Sequence, residues 1–250
     1  MAPDGGSVYV ASMGLEQPET GYTDGVVLRL TPGAPPDRIG SGSALAVSED
    51  GHTLAVTALE SVPQAITVLD ATTGGELVFD QCCGIGRLAI PDLGPDLGEY
   101  YPRTIQWHPD GRRLLLEAGS PEAPSELFVV DPAESTATRL GPPEGLTAGT
   151  GWSLAGTVSS DQVLVVESCC ARDANSYAGD AALLWLDLAT GAERSRESID
   201  NAYTRGFVNS EGDVLLIDQC CGSPDARLLR RQPDGELRAL EGPTYALVGW

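Results

Sequence analysis

Residues 104–118 read TIQWHPDGRRLLLEA: a run alternating apolar and polar positions, a polar segment with Asp-Gly, then a nearly continuous apolar run. Two apolar runs of strand length around an Asp-Gly predict a β-hairpin. The pattern returns from Ser43 (SALAVSEDGHTLAVTA), from Ser153 (SLAGTVSSDQVLVVES) and from Arg205 (RGFVNSEGDVLLIDQ). A fifth copy is split between the termini, YALVGW at 245–250 continuing head to tail into APDGGSVYVAS at 2–12.

Each hairpin is followed by a second one. Residues 68–77, 129–140, 185–194 and 229–237 run from an apolar strand through turn residues into a polar strand. The acidic turn residues Asp4, Asp50, Asp110, Asp161 and Glu211 recur at roughly 50-residue intervals, a period of four short strands that signifies a propeller blade. Strands A and B come from the first hairpin, C and D from the second. The polar D strand suits an outer edge facing water, and continuous apolar B runs such as LLLEA suit strands covered on both faces. The predicted fold is all-β: a five-bladed β-propeller of four-stranded antiparallel blades, one domain over residues 1–250, closed by pairing of the N- and C-terminal strands, which removes an exposed edge.

In such a meander the A–B and C–D turns share one face, and the B–C and D–A loops share the other. The long loops at 14–24, after strand D of blade two at 83–102, and at 169–180 fall on the second face. Loops of that length in a compact domain carry function. The cysteines, all in adjacent pairs, map there too: Cys82 and Cys83, Cys169 and Cys170, Cys220 and Cys221. Adjacent-residue disulfides are the preferred reading, since bridges between loops need Cα separations below roughly 7 Å and the pairs sit on blades two, four and five. Inter-loop bridges and thiolate metal ligation stay open, although no C-x-x-C spacing or nearby His supports zinc.

Composition narrows the partners. With 36 acidic residues against 15 basic ones, all arginine, the net charge is -21, which opposes binding to nucleic acid or anionic lipid. No apolar run is long enough to span a bilayer, so membrane insertion is not expected. Paired cysteines point to an oxidising compartment, extracellular, periplasmic or envelope, with a signal sequence presumed removed. A monomer without cofactor or metal is expected.

Tyr101, Trp152, Tyr203 and Tyr245 each fall at or just before the start of an A strand, with Arg103 and Arg205 beside them. A ring would place them around the channel mouth on the loop face, as stacking walls and cationic anchors for a ligand or as an aromatic plug. Catalysis has thin support. His52 and His108 lie in or beside the turns of the other face, where no triad can form with the aromatic ring. Glu99, Glu144, Asp200 and Glu241 precede A strands and are the only candidates for the carboxylate pair a glycosidase needs.

The segments HPDGRRLLL, APDGGSVYV and SEDGHTLAV resemble the PDG-type repeats of TolB-like, WD40-like bacterial propellers. The resemblance implies the propeller fold and leaves function open. Of the WD40 signatures only Trp185-Leu-Asp187 is present. The α/β domain ahead of TolB's propeller has no counterpart here, so TolB's partners do not carry over. The expected function is a non-catalytic propeller presenting its loop face to a protein, peptide or small-molecule ligand; the alternative is a carbohydrate-active hydrolase using the loop carboxylates.

Overall fold

The computed structural model describes residues 6–11, 16–17, 21–22, 25–42, 44–58, 65–75, 87–89, 101–119, 125–134, 136–141, 143, 146, 151–168, 181–199, 205–208, 212–218 and 227–240. Among these there are strands and turns and no helix. The first sheet holds β1 (Val8–Ala11), β4 (Val26–Leu30) and β5 (Asp37–Ser41), with a short hairpin of β2 (Glu16–Gln17) and β3 (Gly21–Tyr22) between β1 and β4. The second is β6 (Ala44–Val47), β7 (Thr53–Ala58), β8 (Ala65–Asp70) and β9 (Arg87–Ala89); the third is β10 (Tyr101–Trp107), β11 (Leu114–Gly119), β12 (Glu126–Asp131) and β13 (Thr136–Gly141). The fourth is β14 (Gly151–Ser159), β15 (Gln162–Ser168), β16 (Ala181–Asp187) and β17 (Glu193–Ile199); the fifth is β18 (Arg205–Val208), β19 (Val214–Asp218), β20 (Arg227–Arg231) and β21 (Leu237–Ala239). Within every sheet the strands pair antiparallel in chain order. This is the five-bladed propeller, its blades four-stranded except the first, which has three described strands.

In blades two and three the A–B hairpins centre on Asp-Gly turns. Trp107 pairs with Leu114 across the PDG turn, and Val47 pairs with Leu54 across SEDG. The B strand of blade three is buried throughout, every residue of β11 being inside. The outer β17 carries Glu193, Arg194, Arg196 and Glu197 and is mostly exposed. That contrast follows from position, since an inner sheet strand is covered on both faces and the edge strand is not.

The chain clusters into two compact units, residues 1–139 and residues 140 onward. In the first, Leu54, Val56 and Leu69 of blade two pack with Tyr9, Val27 and Ile39 of blade one. Ala55, Ile66 and Val68 of blade two pack with Leu114, Leu116 and Phe128 of blade three. Polar contacts tie the same blades together: Tyr9 Oη donates to Ala71 O at 3.1 Å and Arg29 Nη1 to Thr72 O at 2.6 Å. In the second unit Leu164, Val166 and Leu183 of blade four pack with Val214, Leu216 and Leu229 of blade five. There Arg231 of blade five bonds Glu197 of blade four at 2.7 Å and lies 5.9 Å from the centroid of the Trp185 ring.

Two expectations change. Asp70 N–H donates to Gly75 O, closing the C–D hairpin of blade two, in a register where Ala65 would face Asp80; instead Ala65 pairs with Ala89. The described outer strand β9 therefore follows Cys82 and Cys83, whereas the sequence reading ended that strand at the doublet. The segment read as the loop 83–102 accordingly contains β9 and the first two residues of β10. The second change is within the B strands, where the apolar runs carry the buried carboxylates Glu117 and Glu167. The strand expected to close the first blade, 245–250, lies outside the described residues.

Candidate functional site

The two ends of each sheet do different work. At the turn end, aspartates organise the backbone. Asp70 Oδ1 accepts the N–H groups of Thr72 and Thr73 and the Thr73 hydroxyl, and Asp187 Oδ1 repeats this with Ala189 and Thr190. The local reason is chemical: a short carboxylate mimics a backbone carbonyl and closes an Asx turn. A–B and C–D turns of one blade also join directly, Ala71 N–H donating to His52 O and Leu188 N–H to Asp161 O. Arg194 bonds both Asp161 and Asp187, and its guanidinium with the Thr190 hydroxyl pulls the Asp187 carboxyl down to about 2.

Blade three departs from this pattern. His108 stands where blade two has Ser48 and blade four Ser159, and it is only 4% exposed. Its Nδ1 lies 3.1 Å from Asp110 Oδ2 and its Nε2 3.3 Å from Arg113 Nη2. Burial lowers the pKa of this imidazole; Asp110 partly offsets that and Arg113 adds to it. Burial opposes ionisation of Asp110, but the N–H groups of Arg113 and Arg112 and the Arg113 side chain outweigh it and hold the carboxyl well below the usual range.

The other end gathers the B–C and D–A connections and the starts of the A strands. Tyr101 opens β10, and two residues later Arg103 stands exposed at an irregularity in the ladder: Pro102 pairs with Ala118 and Thr104 with Glu117, so Arg103 is the extra residue. A bulge of this kind re-aims a side chain. Trp152 of β14 is 6% exposed and pairs in register with Glu167. Arg205 opens β18 opposite Ile217. Tyr203, Tyr245 and all six cysteines lie outside the described residues, as do Glu99, Glu144, Asp200 and Glu241.

Sequence reasoning passed over the buried acids. Glu167, 1% exposed, bonds Arg196 Nη1 at 2.5 Å, and Arg196 also reaches Glu193 at 3.0 Å. Glu126, at the start of β12, pairs with Arg139 of β13. The signal was available: a single Glu inside LLLEA, VLVVES or SELFVV cannot stay charged in a covered strand without a cation, and arginines at 139 and 196 lie on the polar outer strands of the same sheets as Glu126 and Glu167. Among the described residues no group of three or more metal-ligating side chains comes together.

Solved structures with this geometry include TolB from Acinetobacter baumannii, which aligns at 17% identity and a TM-score of 0.60 over 94% of this chain and 52% of that one. A TolB-type protein of Agrobacterium tumefaciens aligns at 15% identity and a TM-score of 0.58, over 95% of this chain and 77% of that one. These likenesses show the β-propeller fold. The β-propeller domain of the Trilobed protease from Pyrococcus furiosus also aligns, at 12% identity and a TM-score of 0.53 over 96% and 81% of the two chains. No family model and no curated protein matches the chain. Identities this low speak for architecture, and the chain spans about half the length of the Acinetobacter protein.

Proposed function

We propose that this propeller is a non-catalytic binding module of the cell envelope or exterior, and that its partner docks at the connection ends of the sheets, where the sequence places the B–C and D–A loops and two of the cysteine pairs, Cys169/Cys170 and Cys220/Cys221, the third pair preceding β9 in the chain and so belonging to a C–D connection. The observation that carries this reading is Arg103. Nine arginines among the described residues form ion pairs with carboxylates, in a chain that has 36 acidic residues. Arg103 has no ion pair among the described residues, is exposed, and stands out of its ladder at the bulge. A planar guanidinium without a carboxylate partner among the described residues suits a bidentate contact to a partner's carboxylate. The surrounding charge of -21 repels anions at long range, so such an anchor acts only on a partner already docked by other contacts.

The test is a peptide array in which each sequence is displayed with a free and with an amidated C-terminus, probed with the wild-type chain, Arg103→Ala and Arg103→Lys. Wild-type binding to carboxylate-bearing peptides should fall roughly tenfold or more in Arg103→Ala, the loss of about 1.4 kcal/mol, with partial recovery in Arg103→Lys. His52→Asn, at the turn end, should bind as wild type. Equal binding by Arg103→Ala, or loss of binding in a folded His52→Asn variant, rejects the assignment.

A further inference from the structure

The turn of blade three does with a titratable ring what its counterparts do with a hydroxyl. In blade two Ser48 Oγ donates to Asp50 Oδ1 at 2.6 Å and accepts Thr53 N–H at 2.9 Å; in blade four Ser159 Oγ donates to Asp161 Oδ1 at 2.7 Å. In blade three the atom facing the Asp110 carboxylate is His108 Nδ1, 3.1 Å from Oδ2, and the second ring nitrogen faces Arg113. Arg113 holds both partners, since its Nε also donates to Asp110 Oδ2 at 2.6 Å.

This arrangement selects one protonation state. Arg113 carries only donors, so Nε2 opposite it must present its lone pair, and the ring proton belongs on Nδ1, pointing at the Asp110 carboxylate. The Asp110 N–H, 3.2 Å from Nδ1, competes for that atom; the two charged partners outweigh one neutral amide, and Ser48 supplies the precedent of a donor aimed at the acid. A proton added to Nε2 would set N–H against N–H across 3.3 Å, on a ring that is itself buried. The other charged groups nearby are committed elsewhere: Arg112 bonds Asp131 and Glu134 of the adjoining C–D turn.

We propose that His108 makes the A–B turn of blade three an acid-releasable latch: protonation at Nε2 drives Arg113 off the imidazole and the carboxylate and loosens residues 108–113, while the serine-based turns of blades two and four stay closed. The sign follows from the direction of the shift. A histidine depressed in the folded state contributes its full stability above the ordinary value of 6.5 and loses it as the pH falls below that toward the folded pKa. Asp110, held far lower, stays ionised through the same interval.

Hydrogen exchange tests it. In the wild-type chain the amides of Gly111, which donates to His108 O, and of Arg112 and Arg113, which donate to Asp110, should exchange several-fold faster at pH 5 than at pH 7.5 after correction for intrinsic rates, with residues 48–53 and 159–162 unchanged. His108→Ser should remove the difference. Nitrogen-15 shifts of the His108 ring at neutral pH should report the proton on Nδ1. Exchange at 108–113 that does not respond to pH, the same response in His108→Ser, or a neutral ring protonated on Nε2 overturns the proposal. If His108→Ser does not fold, the wild-type contrast between the blade-three turn and residues 48–53 decides alone.

Discussion

Single residues explain most of the specificity in this propeller. Glu167 is a carboxylate that follows the apolar run Val163–Val166 in β15, and it is tolerable only because Arg196 meets it from the next strand but one. Removing one member of a buried charge pair leaves the other without its partner. Glu167→Ala should cost about 2 kcal/mol in urea unfolding, with Arg196 retaining Glu193, whereas the double variant Glu167→Leu/Arg196→Leu should recover much of that loss. A single variant indistinguishable from wild type would show the pair to be idle. Asp187 makes a prediction in pH. Its carboxyl is depressed to about 2 by Arg194 and the Thr190 hydroxyl, so its contribution is complete above the ordinary 3.8 and disappears as the pH falls through about 2. An Asp187→Asn variant should therefore lose stability at neutral pH and show a flatter acid limb in melts between pH 5 and 2; parallel acid limbs would contradict this.

At the scale of the element, the turns separate into those that only need a left-handed residue and those that also need room. Gly111 has φ +67° with open space around its Cβ position, while Gly74 has φ +70° and a Cβ there would lie 2.7 Å from Ile39 O on blade one. The first position pays only the left-handed strain, about 1 kcal/mol for alanine; the second adds a clash with neighbouring backbone. Gly74→Ala should thus lower the melting temperature clearly more than Gly111→Ala, and equal effects would mean that the contact between the blade-two turn and β5 is not maintained. Both glycines are visible in sequence as turn residues. Only Gly111 could be ranked from sequence, because the atom that crowds Gly74 belongs to a strand more than thirty residues earlier.

For the whole molecule, repetition made the architecture legible. Five copies of one hairpin pattern, four of them followed by a second hairpin that ends in a polar strand, predict five blades, and the sheets follow with the A–B pairings at 44–58, 101–119, 151–168 and 205–218. The cysteine doublets belong to this scale, being spread over three blades. If each closes on itself, non-reducing peptide mapping recovers every doublet as one peptide lighter by the mass of two hydrogens, and reduction barely moves the unfolding temperature because the loop removed is minimal. Peptides joined between the Cys82 and Cys220 regions would show a different connectivity.

What the amino-acid sequence determined alone is whatever depends on neighbours along the chain: strand type from alternation, turn position from Asp-Gly, and the inward and outward roles of B and D strands from continuous or broken apolarity. Tertiary structure decided what depends on residues distant in sequence. It set which glutamates inside apolar runs are neutralised, since Arg139 and Arg196 reach Glu126 and Glu167 from other strands. It placed the described outer strand of blade two beyond the cysteine pair, because the pairing joins Ala65–Thr67 to residues about twenty positions later in the chain, which no local pattern specifies. It left Arg103 outside the ladder, which no local pattern announces, since a bulge exists only relative to the strand it faces.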